Sequence, residues 1–532
     1  MIYSLAMKRE KRKDNKRNMG SGKAERTAFP PFGSDPREDT NAVMKFYKLH
    51  ASFPPHVLKE ANSVGARAAE PGKRLDLRKR FIFTCDPASA RDFDDALSLE
   101  SAGRGRVTLG VHIADVSHFV EPGGALDREA YKRSFSVYFP DRVLPMLPET
   151  LSNGVCSLVP GEDRLAFSVF ITFDKSGRPV ERSFAKSIIR SKARFTYEQV
   201  MRVISGGARK GADAVDAKAR KTILAISDLA QTLRARRFAE GALDIAIPET
   251  EVELDSDGMM TGLVTRPYDE SHQMVEECMV AANEAVAAEL TEHGIHVIAR
   301  LHEPPDDEKI EMLRAELGAF GVKVGNIANR KAMARFLESI KGHPLYSTIS
   351  VMVLRSMKRA VYDSTRMGHY GLAKRFYAHF TSPIRRYPDL TLHRQLADFL
   401  DGRAYRVPAQ RLAMWAKHAT EMEERAADAE RAVAEMKKYR FLEESAASRQ
   451  TIDYNAVIAK CAPYGCFVEI PELGVSGLVH ISNISHRYVK FNEHDHTLSV
   501  PGGGRWRIGD SMEVRVLRVD RDERHIDFIP VR

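Results

Sequence analysis

Between residues 81 and 113 the chain carries three short apolar stretches, at 81–85, 95–100 and 107–113. Polar turns separate them, and the second alternates with the two-residue period of a half-buried strand. A further strand is expected near 165–173. The pattern then becomes helical. Residues 218–240, 272–290, 307–321 and 327–340 read as helices, and 408–446 as a long one, rich in Ala, Glu, Arg and Met with no internal Gly or Pro. Residues 41–70 carry a helical pattern broken by Pro54 and Pro55. Strands come first and helices dominate afterwards, so an α+β arrangement is expected over 41–447 rather than repeated βαβ units. After Ser448 the period shortens again. Five short strands near 457, 466–470, 477–481, 512–516 and 525–528, punctuated by glycines, suit a small all-β barrel of the OB type over 448–532.

The 532 residues allow three or four domains and a large core, and 43% apolar with 29% charged residues is ordinary for a globular protein. Most of the +9 net charge sits in the tail. Residues 8–26 hold nine basic side chains against Glu10, Asp14 and Glu25, which leaves the body near neutrality. Residues 1–40 read as a disordered basic segment. The charge therefore says little about nucleic-acid binding by the body, and local clusters must make that case. Cys85, Cys156, Cys278, Cys461 and Cys466 are scattered with no C-x-x-C spacing, so they are expected as reduced thiols in a cytoplasmic protein. No apolar run is long enough to cross a membrane.

Asp86, Asp92, Asp94 and Asp95 fall within ten residues, in the loop that joins two apolar strands. Four repelling carboxylates are unfavourable unless a cation compensates them, and hard oxygen ligands suit Mg²⁺ or Mn²⁺. A solvated acidic loop is the plain alternative. A calcium hand fits poorly, because the central Gly is missing and the twelfth place holds Leu97. An aspartyl-phosphate phosphotransferase also fits poorly, because Ala96 stands where Thr or Val is usual. A metal-dependent phosphodiesterase remains. Residues 374–394 hold five Lys or Arg and four aromatic residues, with Asp389 the one acid. Arginine forks such as Arg385 and Arg386 suit phosphates, and rings such as Tyr387 suit base stacking. Ser382 is a candidate cap for a helix beginning near Pro383, although an aromatic core with solvated arginines would give a similar pattern.

Together these segments resemble the ribonuclease II/ribonuclease R family, whose catalytic module is the RNB domain. The resemblance rests on the acidic loop, on HIADVS at 112–117, SVYFP at 136–140, PMLP at 145–148, LSNGVCSL at 151–158 and YAHFTSPIRRYPD at 377–389. The C-terminal barrel resembles an S1-type RNA-binding domain through GCFV at 465–468 and GLVH at 477–480. SVYFP and RYPD favour the ribonuclease R branch. The resemblance implies a processive 3′→5′ exoribonuclease that releases 5′-mononucleotides with Mg²⁺, or Mn²⁺ in its place. It acts on single-stranded RNA or RNA with a 3′ end, in the cytoplasm, and a monomer is expected. A catalytically silent RNA-binding protein on the same scaffold is the rival.

The resemblance further implies that Asp86, Asp92 and Asp95 hold metal, that Asp94 is essential to catalysis and that Arg385 binds the scissile phosphate. Tyr138 would stack on the terminal nucleotide, with Arg386, Tyr387 and Glu430 also contacting substrate. Such proteins usually carry two cold-shock barrels ahead of the catalytic module. Here FGSDPRED at 32–39 resembles the end of the second, and the chain reads as a short form or a fragment.

Overall fold

A computed structural model describes residues 29–66, 73–207, 215–245, 250–319, 321–343, 345–403, 407–448, 452–493 and 495–531. The α-helices of the catalytic half are α1 (Asp39–Phe46), α2 (Pro55–Ala66), α3 (Ala125–Arg133), α4 (Tyr197–Ile204), α5 (Ala217–Ala239) and α6 (Glu270–Glu292). They continue with α7 (Asp307–Ala319), α8 (Arg330–Ser339), α9 (Tyr346–Ser356), α10 (Tyr387–Leu400) and α11 (Ala409–Ala447). The first nine strands of the catalytic half are β1 (Leu75–Asp76), β2 (Phe83–Asp86), β3 (Asp95–Gly103), β4 (Arg106–Ala114), β5 (Val137–Tyr138), β6 (Val143–Leu144), β7 (Asp163–Phe173), β8 (Pro179–Arg190) and β9 (Ala193–Thr196).

All of these strands except β5 and β6 form one sheet in the order β1-β8-β7-β4-β3-β2-β9. Its centre is antiparallel, and the edge pairs β1–β8 and β2–β9 are parallel. Side chains alternate across it, as the strand period requires. Phe83, Leu97 and Val111 face a core shared with α5 and α6. Ile82, Ala96 and Ala114 face a second core that takes in Leu126 of α3 and Ile384. Helix starts follow local chemistry. Thr196 and Gln199 form a reciprocal capping box on α4, and Asp216, Asp269 and Asn329 cap α5, α6 and α8.

Beyond α11, strands at Asp453–Ala462, Gly465–Ile470, Val475–His480, Ser511–Asp520 and His525–Pro530 close a five-stranded barrel. Gly465 has φ 150°, and a Cβ there would lie 2.2 Å from the Val479 carbonyl oxygen, so the tight hairpin admits only glycine. Leu442 of α11 enters the barrel core, which joins the barrel to the catalytic half. The expected α+β body followed by an OB-type barrel is the observed architecture. Among the described residues, no helix is long and apolar enough to cross a membrane.

Two expectations need correction. Residues 29–40 were expected to be disordered with the tail, but they are ordered. Asp39 is fully buried against Arg440, with Nε and Nη2 at 2.8 Å from its two oxygens, and against Lys437 at 3.2 Å. Phe32 packs edge-on to Tyr439. The remainder of that expectation, residues 1–28, lies outside the described residues. The helix expected from Pro383 begins instead at Tyr387. Ser382 does not cap it; the Ser382 amide donates to Asp389 Oδ1 at 2.8 Å, which holds 383–386 as a turn.

Candidate functional site

The acidic loop occupies the step from β2 to β3, with Asp86 ending one strand and Asp95 opening the next. Ser157 pins the loop by accepting from the Phe93 amide at 3.0 Å and donating to the Arg91 carbonyl at 2.7 Å. Arg194 braces the other side. Its Nη2 donates to the carbonyls of Pro87 and Ala88, both at 2.8 Å, and its guanidinium lies 5.1 Å from the Phe93 ring centre. Neither residue stands out in the sequence. The signal that could have found Arg194 is the parallel pairing of β9 on β2, which sets it beside Thr84.

The carboxylates are held in an unusual electrostatic state. Burial first, then the charge of Asp95, pushes Asp86 up to about 8. Burial raises Asp95 to about 6 against the pull of Arg385 and Arg386. Asp92 and Asp94 are also raised by burial, with Arg385 opposing it in both. Asp94 is 4% exposed; its Oδ1 accepts from the Ile384 amide at 3.0 Å, while its Oδ2 has no hydrogen-bond partner. Asp86 Oδ2 is likewise buried and unpartnered. These orphaned oxygens are hard donors of the kind a divalent cation takes. Among the described residues, however, no group of three or more His, Cys, Asp or Glu side chains converges to hold a metal ion. The donor chemistry fits such an ion, and the expected three-carboxylate set is not drawn together in advance.

The basic-aromatic segment meets this loop. Arg385 Nε lies 3.6 Å from Asp94 Oδ2, and Arg385 Nη2 donates to Ser382 Oγ at 3.0 Å, while the side chain stays 43% exposed. Tyr138, on the β5–β6 hairpin, is 44% exposed. Local burial raises its phenol to about 12, with Arg385 pulling it down and Asp92 and Asp94 pushing it up, so the ring shares the field of this loop. Glu430 of α11 reaches the same hairpin, and its Oε1 accepts from the Tyr138 amide at 2.7 Å.

The structure ties two of the expected substrate residues into internal contacts. Arg386 is committed to Asp389, with Nε and Nη2 at 3.0 and 2.8 Å from its two oxygens. Tyr387 is buried, its hydroxyl donating to Asp127 at 2.9 Å. The Tyr387 ring is thus covered, and the Arg386 fork is closed on an internal carboxylate. Both residues build the turn that aims Arg385 outward. Glu430, for its part, meets the backbone that carries Tyr138.

Comparison with known proteins adds to this geometry. A family model described as RNB domain matches residues 74–402, and one described as S1 RNA binding domain matches residues 453–529. Ribonuclease R of Thermotoga maritima is 40% identical over 511 residues, covering 93% of this chain and 71% of that protein. Ribonuclease R of Aquifex aeolicus is 37% identical over 498 residues, covering 92% and 69%. Among solved structures, Mycoplasma genitalium RNase R in complex with ribose-methylated single-stranded RNA superposes with a TM-score of 0.85 at 27% identity, covering 94% of this chain and 78% of that one.

Proposed function

The chain belongs to the RNB family, in its ribonuclease R branch, and from that premise we propose how its residues degrade RNA and in what manner. It is a 3′→5′ exoribonuclease. The observation that carries the residue-level reading is the meeting of Asp94 and Arg385 across 3.6 Å, with buried oxygens of Asp94 and Asp86 that accept no hydrogen bond. Arg385 binds the scissile phosphate and stabilises the charge that develops on it. Asp94 Oδ1 is fixed by the Ile384 amide, which leaves Oδ2 to accept a hydrogen bond from the attacking water. Asp86, Asp92 and Asp95 would hold Mg²⁺, or Mn²⁺ in its place, and that ion would supply Lewis-acid polarisation and a more acidic bound water. Tyr138 stacks on the terminal base, and Glu430 steadies it. The segment 29–447 is the catalytic unit and the barrel that follows is the RNA-binding unit.

The substrate is single-stranded RNA, or RNA presenting a single-stranded 3′ end; Mycoplasma genitalium RNase R is also known in complex with double-stranded RNA. The enzyme acts processively, as a monomer, in the cytoplasm, and releases 5′-mononucleotides. The rival reading, an RNA-binding protein without catalysis, would be favoured by a broken residue set. Asp86, Asp92, Asp94, Asp95 and Arg385 are all in place.

The test is digestion of uniformly labelled RNA with Mg²⁺ under enzyme-limited conditions. The expected result is mononucleotide plus a short limit oligonucleotide, with few intermediates. Accumulation of internal fragments without mononucleotide would overturn the reading.

A further inference from the structure

The β5–β6 hairpin that carries Tyr138 is held from a second side by a segment upstream of the RNB match. Its turn consists of residues 139–142 and is closed by the Phe139 amide donating to the Arg142 carbonyl at 2.9 Å. Asp141 accepts from Thr40 Oγ1 of α1 at 2.9 Å, and Arg142 Nη1 donates to Asn41 Oδ1 at 3.0 Å. Arg142 also pairs with Asp141 at 2.9 Å, so the four polar groups form one ring of contacts between helix and turn. Beneath it Val43 and Met44 of α1 pack in one cluster with Val137, Phe139 and Leu144. The helix cannot drift, because the adjacent Asp39 is locked to Lys437 and Arg440 of α11. The hairpin thus has two tethers, both anchored on α11: Glu430 on the Tyr138 amide, and Thr40 with Asn41 on the turn.

We propose that Thr40 and Asn41 are positioning residues for the nuclease reaction, setting the depth at which Tyr138 meets the terminal base. This rests on the reading of Tyr138 given above. The substrate gains most from Tyr138 if the ring is placed before binding, because ordering the hairpin afterwards would be subtracted from affinity. Thr40 is 1% exposed, so its hydroxyl is committed to this contact. Thr40→Val keeps its shape and removes the bond.

The experiment is a double-mutant cycle on the full chain with Thr40→Val, Tyr138→Ala and the pair, with Thr40→Ser as the conservative control. KM, kcat and the length of the limit oligonucleotide are read on single-stranded RNA, with thermal unfolding as the fold control. One hydrogen bond is worth roughly three- to ten-fold. Thr40→Val is expected to raise KM by that factor and alter the limit length, with kcat nearly unchanged and Thr40→Ser restoring both. In the Tyr138→Ala background Thr40→Val should add nothing, because coupled residues are non-additive. Equal effects in both backgrounds, or a lower Tm with unchanged KM and limit length, would overturn the inference. If Tyr138→Ala is active with wild-type KM and limit length, the stacking role of Tyr138 falls, and with it this inference. If Tyr138→Ala is impaired while Thr40→Val is not, only this inference falls.

Discussion

Asp94 and Asp115 sit at the same end of adjacent strands, joined by the Ala114 amide donating to the Asp94 carbonyl at 2.9 Å, and both are buried. Their surroundings differ. Asp115 meets Arg74 at 2.6 Å, accepts from Ser117 Oγ at 2.6 Å and from the His118 amide at 3.1 Å. Burial works to raise its pKa, yet Arg74 and these hydrogen bonds hold it below the usual carboxylate range. Asp94 has one amide on Oδ1, while Oδ2 accepts no hydrogen bond and has only a guanidinium at 3.6 Å, and burial pushes the group up. The fold can neutralise a buried carboxylate within a few ångströms of the acidic loop. At the loop it leaves the charges under-compensated, as a site for cation and substrate does.

Neutralising each of these two residues in turn should separate catalysis from stability. Asp94→Asn should lower turnover by about 10²–10³-fold or more while RNA binding and Tm stay near wild type. Steady-state kinetics and unfolding on one preparation check both halves. Asp115→Asn should behave oppositely. It strands Arg74, itself buried, and should cost about 3–5 kcal/mol of stability in denaturant unfolding, with near-normal kcat in the folded fraction. Were Asp94→Asn to destabilise as much as Asp115→Asn, the contrast between the two would be lost.

Arg385→Lys keeps the charge and loses the fork. Turnover should fall by about ten- to a hundred-fold, far more than RNA affinity, in rapid-quench and binding assays. An effect on affinity alone would make Arg385 a backbone contact.

The smallest effect is in pH dependence without divalent ions. Asp86 has a folded value of about 8 against about 3.9 for a free carboxylate, so the folded chain binds the extra proton between those values. Its contribution is intact below about pH 4 and is lost as pH rises towards about 8. Asp115, depressed on folding, contributes above about pH 4 and loses its effect as pH falls through its lowered value. Between about pH 5.5 and 8, the Tm of the metal-free wild type should therefore fall more than that of Asp86→Asn. Parallel curves would contradict the assignment.

Much of this was legible in the sequence because it is local. The acidic loop, the long helix α11 and the barrel strands each announce themselves within a short window of residues. What stayed hidden depends on distant partners. The order of residues 29–40 comes from Asp39 meeting Lys437 and Arg440 about 400 residues on. The burial of Tyr387 gave no local sign, because its partner, Asp127, is 260 positions away. The internal pairing of Arg386 was legible, since Asp389 stands at i+3 and such pairs meet on one turn. Arg194 and Ser157 carry no local signature; only the pairing of β9 with β2 and the fold of the loop bring them to bear.

If the under-compensated loop carboxylates take up a divalent cation, the ion should stabilise the fold. The most direct test is thermal unfolding of the metal-free chain titrated with Mg²⁺ at constant ionic strength near pH 7.5. A saturable rise in Tm is predicted for the wild type, as for any ligand of the folded state. The rise should vanish in Asp86→Asn and Asp95→Asn and persist in Arg386→Lys. A Tm unmoved by Mg²⁺ in the wild type, or an equal rise in the aspartate variants, would mean that these carboxylates do not hold the ion.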